Sequence, residues 1–161
     1  MHVNLRGKIK NMTIQLKIIN AVVFFMVAFS AHAEVTIKDP WVRATVPQQI
    51  ATGAFFQIQS STDMRVISVQ TSVAGVAEIH EMKMENNLMK MRAVEHLDLA
   101  AGKMLEFKPG GYHLMLMDLK QQIKVGDVIP LILVLEGKDK KRESVKIKLN
   151  ARSLNGVEHK M

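Results

Sequence analysis

The sequence of 161 residues contains no cysteine. This absence excludes disulfide bonds, thiol redox chemistry and zinc sites built on thiolates, and it removes the thiolate ligand of a blue-copper electron carrier. A domain of this length can still stabilise itself by burying an apolar core, so the lack of disulfides is structurally tolerable. Any metal ion that the protein binds must therefore be held by other side chains.

Fingerprints of enzymes and repeat proteins are also lacking. The sequence has no phosphate-binding loop, no dinucleotide-binding glycine pattern and no serine, histidine and acid arrangement. No stretch sustains an amphipathic helical period for three turns, and there is neither an internal repeat nor a low-complexity tract. We therefore expect a protein that is not an enzyme.

The basic charge is smaller in the folded part than in the whole chain. The net charge is +7, but four positive residues and no acidic ones lie in the first 33 residues, which leaves +3 for the rest. The remaining basic cluster, "KDKKRESVKIK" (Lys138 to Lys148), is most simply a solvated hairpin end. No nucleic-acid partner is expected.

The N-terminal residues have the pattern of an export signal. Basic residues precede an apolar stretch from Ile18 to Phe29, and "AHA" (Ala31 to Ala33) supplies the small residues that a signal peptidase reads. We expect cleavage after Ala33 and a periplasmic mature protein. The apolar stretch is roughly half of the ~20 residues that span a bilayer, so no stable membrane anchor is expected. Met1 and Met12 both fit as the start.

The rest of the chain is predicted to be one all-β domain, residues 34–152, with a short tail at 153–161. Turn signals such as "ENN" and "KPGG" separate short segments rich in β-branched and large apolar residues, which favours an antiparallel sandwich or small barrel. The predicted strands are Val35–Thr45, Thr52–Gln59, Met64–Gln70, Val76–Met84, Leu88–Val94, Lys103–Phe107, Tyr112–Met117, Asp127–Glu136 and Glu143–Leu149.

Methionine is abundant in one region. Five of the twelve methionines lie between Met82 and Met104, and Met115 and Met117 follow soon after. Methionine is a flexible residue that often fills gaps in a core, and each of these residues taken singly fits that interpretation. The arrangement of histidines around them favours a second interpretation, a metal site.

Two same-face pairs of histidine and methionine are predicted. A hairpin that turns at Asn86 and Asn87 places Met84 opposite Met89 and Met82 opposite Met91. His80 is then diagonal to Met91, about 7 to 8 Å away between backbones.

The second pair lies farther along the chain. His113 and Met115 share one face of their strand, about 6.6 Å apart. The four side chains form one site only if the two strand regions are neighbours, which the sequence does not establish. Imidazole with neutral, soft thioethers favours copper(I) over harder cations.

The spacing of these four residues resembles the copper-binding motif of the periplasmic copper chaperone family PCuAC. Ten residues separate His80 from Met91, twenty-one separate Met91 from His113, and Met115 follows in "HLM". The segments "DPWVRAT", "TGAFFQI", "KPGGYHLMLMDL" and "VGDVIPLILVLE" also resemble landmarks of that family, in order.

The resemblance implies a cupredoxin-like Greek-key β-barrel that holds one copper(I) ion through His80, Met91, His113 and Met115. It also implies delivery toward the dinuclear copper site of cytochrome c oxidase, alongside thiol-bearing chaperones of the Sco type. A monomer is expected.

Other residues have secondary roles in this interpretation. Met82 is the best reserve ligand, and Met117 shares the strand parity of the ligands. Glu78 and Glu81 flank His80, where a carboxylate can fix a histidine tautomer. In the tail, His159 and Met161 are the only candidates for a weak second site.

Two alternatives to a delivering chaperone remain at this point. One is copper sequestration without delivery, and the other is a metal-free β-sandwich interaction module whose methionines belong to the core.

Overall fold

The computed structural model describes residues 34–153, which form ten β-strands and no helix. The predicted signal peptide, its cleavage point and the tail residues His159 and Met161 lie outside the described residues. Within residues 34–153 no helix is long and apolar enough to cross a membrane. The strands are β1 (Val35–Arg43), β2 (Ala51–Ser60), β3 (Met64–Thr71), β4 (Ala74–Glu85), β5 (Leu88–Val94), β6 (Leu97–Leu99), β7 (Met104–Phe107), β8 (Tyr112–Leu119), β9 (Val128–Gly137) and β10 (Arg142–Arg152).

All ten strands belong to one sheet with the order β5-β4-β8-β7-β2-β1-β10-β9-β3-β6. Neighbouring strands are antiparallel except for the pairs β1 with β10 and β7 with β8. β8 also pairs with β2, and β3, near one end of this order, approaches β4, near the other. The sheet therefore curls around one core, and the all-β prediction is confirmed.

Buried and more exposed positions alternate along the strands, so the sheet buries one face. In β9, Leu131, Leu133 and Leu135 are fully buried, and in β10, Ile147 and Leu149 are buried between exposed polar neighbours. The turn between these two strands carries the start of the basic cluster, whose lysines are exposed. The interpretation of that cluster as a solvated hairpin end is therefore confirmed.

One strand was not predicted. β6 has only three residues, Leu97–Leu99, and pairs with β3. A segment this short carries too little alternation to be distinguished from a loop by its pattern. β10 is longer than predicted, reaching Arg152, because its last residues pair with β1.

β8 is the strand in which the two faces differ most. Leu114 and Leu116 are completely buried in the core, whereas His113, Met115 and Met117 point to the other face of the sheet. His113 is nevertheless only 5 % exposed, because neighbouring rings cover it. The strand therefore contributes apolar burial on one side and chemically distinct donors on the other.

The first prediction concerns the core face of β8. Leu116→Ala should lower the free energy of unfolding by about 2–5 kcal/mol, because it leaves a cavity in the core. Urea denaturation of the mature chain measures the change. The matched control, Val128→Ala at an exposed position, should change stability by less than about 0.5 kcal/mol. Equal effects would mean that this face of β8 does not form the core.

Candidate metal centre

The hairpin of β4 and β5 has the predicted register. Met84 pairs with Met89 and Met82 with Met91, and the hairpin turns through Asn86 and Asn87. Both asparagines have positive φ angles, 52° and 61°, which is what a two-residue turn of type I′ requires. Asparagine tolerates this conformation better than other residues with a side chain, so "ENN" forms the same tight turn as Asn-Gly.

The two predicted halves of the site are brought together by the pairing of β4 with β8. His80 lies directly opposite His113 in this pairing, and their ring centroids are 5.9 Å apart. Met115 is opposite Glu78 on the same pair of strands. Residues His80, Met91, His113 and Met115 therefore share one face of the adjacent strands β5, β4 and β8.

A surface cavity of about 250 Å³ lies on this face. Three thioethers line it, those of Met82, Met91 and Met115, together with the imidazole of His113 and the ring of Phe55. We call this space the methionine cavity. Met82, predicted as a reserve ligand, lies directly opposite Met91 and is therefore positioned for that role.

Hydrogen bonds fix which nitrogen of each histidine is free. His113 Nδ1 lies 3.0 Å from the carbonyl oxygen of Gly111, and His80 Nε2 lies 2.9 Å from Oε2 of Glu78. Carbonyl and carboxylate oxygens only accept, so in the neutral rings these two nitrogens carry the protons. The lone pairs are then on Nε2 of His113 and Nδ1 of His80.

The free nitrogen of His80 has no partner. Its Nδ1 atom is buried and makes no hydrogen bond. A buried acceptor without a partner is costly, about 1–3 kcal/mol, and calls for an explanation. A metal ion bound to this nitrogen would satisfy it.

Aromatic rings form the wall of the site on the β2 side. Phe55 lies between Trp41, with centroids 4.4 Å apart, and His113, with centroids 6.4 Å apart. A Cβ atom on Gly53 would lie 2.8 Å from Cζ of Phe55. A residue without a side chain at position 53 therefore leaves room for the Phe55 ring.

A cation faces the same ring. The guanidinium of Arg43 lies 5.8 Å from the centroid of Phe55, and Arg43 also lines the methionine cavity. Its Nε atom is buried without a hydrogen-bond partner, and none of the ion pairs found in residues 34–153 includes it. The site thus lies beside an uncompensated positive charge.

The predicted role of Glu81 has to be corrected. Its carboxylate accepts a hydrogen bond of 2.6 Å from Arg92, which holds the pKa of Glu81 below its ordinary value. Consecutive residues of a strand point to opposite faces, so Glu81 faces away from His80 and Glu78 occupies the supporting position. A secondary role was also predicted for Met117. This residue lies on the same face as Met115, two residues farther along β8, and pairs with Ala51 of β2.

The donor set differs from that of sites for harder metals. Among residues 34–153 no three or more histidine, aspartate or glutamate side chains are grouped so that they could hold a metal ion. The fold instead collects two imidazoles and several thioethers. Sequence reasoning missed Arg43 and Phe55, which lie in the quoted segments "DPWVRAT" and "TGAFFQI", because their place follows from the pairing of β1, β2 and β8.

Comparisons with known proteins agree with this architecture. The sequence model of the family described as "Putative lipoprotein LpqE-like" matches residues 35–147. The uncharacterized protein RP573 of Rickettsia prowazekii is 27 % identical over 123 residues, covering 73 % of this chain and 68 % of that protein.

Solved structures show the fold. The apo PCuAC domain of PmoF2 has a TM-score of 0.61 and 20 % identity, covering 76 % of this chain and 93 % of that domain. The solution structure of the CuI form of DR1885 from Deinococcus radiodurans has a TM-score of 0.54 and 25 % identity, covering 77 % of this chain and 84 % of that chain. The predicted likeness to PCuAC domains and their cupredoxin-like fold is confirmed.

The second prediction concerns the histidine tautomers. In the metal-free protein, long-range proton–nitrogen NMR spectra of the neutral rings should show His113 protonated on Nδ1 and His80 on Nε2, because each of these nitrogens faces an acceptor. His96, which is exposed, serves as the control and should show the tautomer mixture of a solvated ring. The opposite tautomers at either site would contradict the assignment of free lone pairs.

Proposed function

The chain belongs to the LpqE-like family, whose description is that of putative lipoproteins, and we propose that it is a periplasmic carrier of one copper(I) ion. The observation that carries this proposal is the buried, unpartnered Nδ1 of His80. The ring of His80 neighbours that of His113, and His113 lines the methionine cavity together with Met91 and Met115. No packing requirement accounts for such an arrangement.

The four proposed ligands act through defined atoms. His80 binds through Nδ1 and His113 through Nε2, since the other nitrogen of each ring is engaged. Met91 and Met115 bind through their sulfur atoms. Glu78 and the carbonyl of Gly111 hold the two rings from behind, as residues behind a metal ligand commonly do.

The chemistry of these ligands favours copper(I). Thioether sulfur is soft and neutral, so it binds monovalent copper better than zinc, magnesium or calcium. The cation of Arg43 beside the cavity adds a repulsion that grows with the charge of the bound ion. The CuI form of DR1885 and the copper-bound form of the PmoF2 domain support the same choice of metal.

The exposure of Met91 distinguishes a carrier from the two alternatives, a metal-free module and a protein that sequesters copper. Met91 is 49 % exposed, which does not fit the interpretation of the methionines as core residues of a metal-free module. Permanent sequestration would also favour a ligand closed off from solvent. An ion held by neutral donors, one of them accessible, is exchangeable, and this suits a carrier that passes it on.

We propose the dinuclear copper site of cytochrome c oxidase as the destination, with Sco-type thiol chaperones as co-operating partners. Signal cleavage after Ala33 would release the carrier into the periplasm. An oxidising compartment suits thioether ligands, because thiolates are lost there to oxidation more readily than thioethers.

The third prediction concerns binding. The mature chain should take one equivalent of copper(I) in competition with a chromophoric chelator. Met91→Leu and Met115→Leu, which conserve volume, should each weaken binding by at least about tenfold, since even loss of a supporting residue costs that much. Met104→Leu is the matched control, because Met104 is 47 % exposed but lies on β7. Full affinity in both ligand variants would refute the ligand set.

The fourth prediction concerns delivery. Protein loaded with copper(I) should transfer the ion to a soluble, reduced copper domain of cytochrome c oxidase, since thiolates of the acceptor are stronger ligands than thioethers. The absorption of the assembled site after mild oxidation measures the transfer, and loaded Met104→Leu should transfer equally well. Tight binding without transfer would support sequestration instead.

A further inference from the structure

A second pair of methionines lies next to the proposed site. Met84 and Met89 are directly opposite each other on the hairpin of β4 and β5. Along each strand they lie two residues nearer the turn than Met82 and Met91. The members of this outer pair are 58 % and 44 % exposed. The proposed ligands leave both unexplained.

The hairpin geometry brings the side chains of each pair close together. In a two-residue hairpin the residues that flank the turn, here Glu85 and Leu88, form a hydrogen-bonded pair, and the pair types then alternate along the strands. Met84 with Met89 and Met82 with Met91 are therefore both non-hydrogen-bonded pairs. In such pairs the Cα atoms are only about 4.5 Å apart and the side chains lie nearest each other.

The two faces of the hairpin are chemically segregated. Because alternate residues share a face, Met82, Met84, Met89 and Met91 form one continuous row with His80 at its inner end. We call this row the methionine ladder. The opposite face holds the charged residues, which are Glu81, Lys83, Glu85, Lys90 and Arg92, with ion pairs between Glu85 and Lys90 and between Glu81 and Arg92.

Core packing does not explain the outer pair. Methionine fills gaps in buried, irregular space, but both members of this pair are exposed at the end of a hairpin whose outer strand, β5, is the edge of the sheet. Large apolar side chains grouped on an exposed surface usually mark a binding site. Because these two neighbouring thioethers continue the row that leads to the proposed copper(I) site, the ligand that they fit is a soft metal ion.

We propose that Met84 and Met89 form an outer copper(I) site through which the ion enters and leaves the inner site. This inference rests on the proposed function. Copper remains in the +1 state throughout, and no proton moves, because the ion passes only between neutral donors, the thioethers of the ladder and the free lone pairs of the two imidazoles. Without an imidazole the outer site binds more weakly than the inner one, so it fills second and empties first.

Silver(I) is a suitable probe because it is monovalent, soft and not oxidised by air. In the mature chain labelled with 13C at the methionine methyl groups, the first equivalent of silver should shift the signals of Met91 and Met115. The second should shift those of Met84 and Met89. Met104, which is 47 % exposed but lies outside the ladder, should not respond.

Removing the outer pair tests its role in exchange. In the double variant Met84→Leu, Met89→Leu the second equivalent of silver should be lost and the first retained. Extraction of copper(I) by an external chelator should become several-fold slower. The control Met104→Leu should behave as the unaltered protein does.

The outcomes separate the two proposals. If the first equivalent leaves Met91 and Met115 unshifted, the inner site and the proposed function are wrong. If the first equivalent binds there but the double variant exchanges copper as fast as the unaltered protein, the outer site is wrong. A response of Met104 at the second equivalent would also refute it, since binding would then be a property of any exposed methionine.

Discussion

The pairing of β4 with β8, with His80 opposite His113, is the contact on which the whole site depends. The opposite face of the same two strands fixes this register. There Ile79 pairs with Leu114, and both are buried in the core. A slip by one residue would expose these apolar side chains and turn one imidazole inward. Burial of hydrocarbon on one face therefore positions the proposed metal donors on the other.

This arrangement lets the fold tolerate a locally unfavourable group. The unpartnered Nδ1 of His80 destabilises the metal-free protein by about 1–3 kcal/mol, but the core around Leu114 and Leu116 is independent of it. The hydrogen bonds from His80 to Glu78 and from His113 to Gly111 hold both rings in place before any ion arrives. Rigid support of this kind reduces the ordering cost of binding, so more of the interaction energy is available for affinity.

Local features could be predicted from the sequence, and contacts between distant segments could not. The turn at Asn86 and Asn87 sets the hairpin register by itself, so the opposition of Met82 and Met91 was predictable. The adjacency of β4 and β8 joins segments that are far apart in sequence, and alternation within each strand carries no information about its neighbours. The same limit applies to Arg43 and Phe55, whose approach to His113 needs the order of β1, β2 and β8. The prediction for Glu81 is wrong because strand parity, and not nearness in sequence, decides which side chains share a face with His80.

The proposed ligands differ in their exposure to solvent, and this asymmetry would give a bound ion a direction of movement. His113 is 5 % exposed, whereas Met91 is 49 % exposed on the edge strand β5. In the proposed carrier an acceptor would therefore approach the ion from the hairpin side, where the exposed proposed ligand is a neutral thioether. A thiolate brought to that side adds a negative charge that none of the proposed ligands supplies, and the charge of Arg43 beside the cavity destabilises the ion where it is. Release toward an anionic acceptor would thus be favoured by the same proposed set of neutral ligands that selects the monovalent metal.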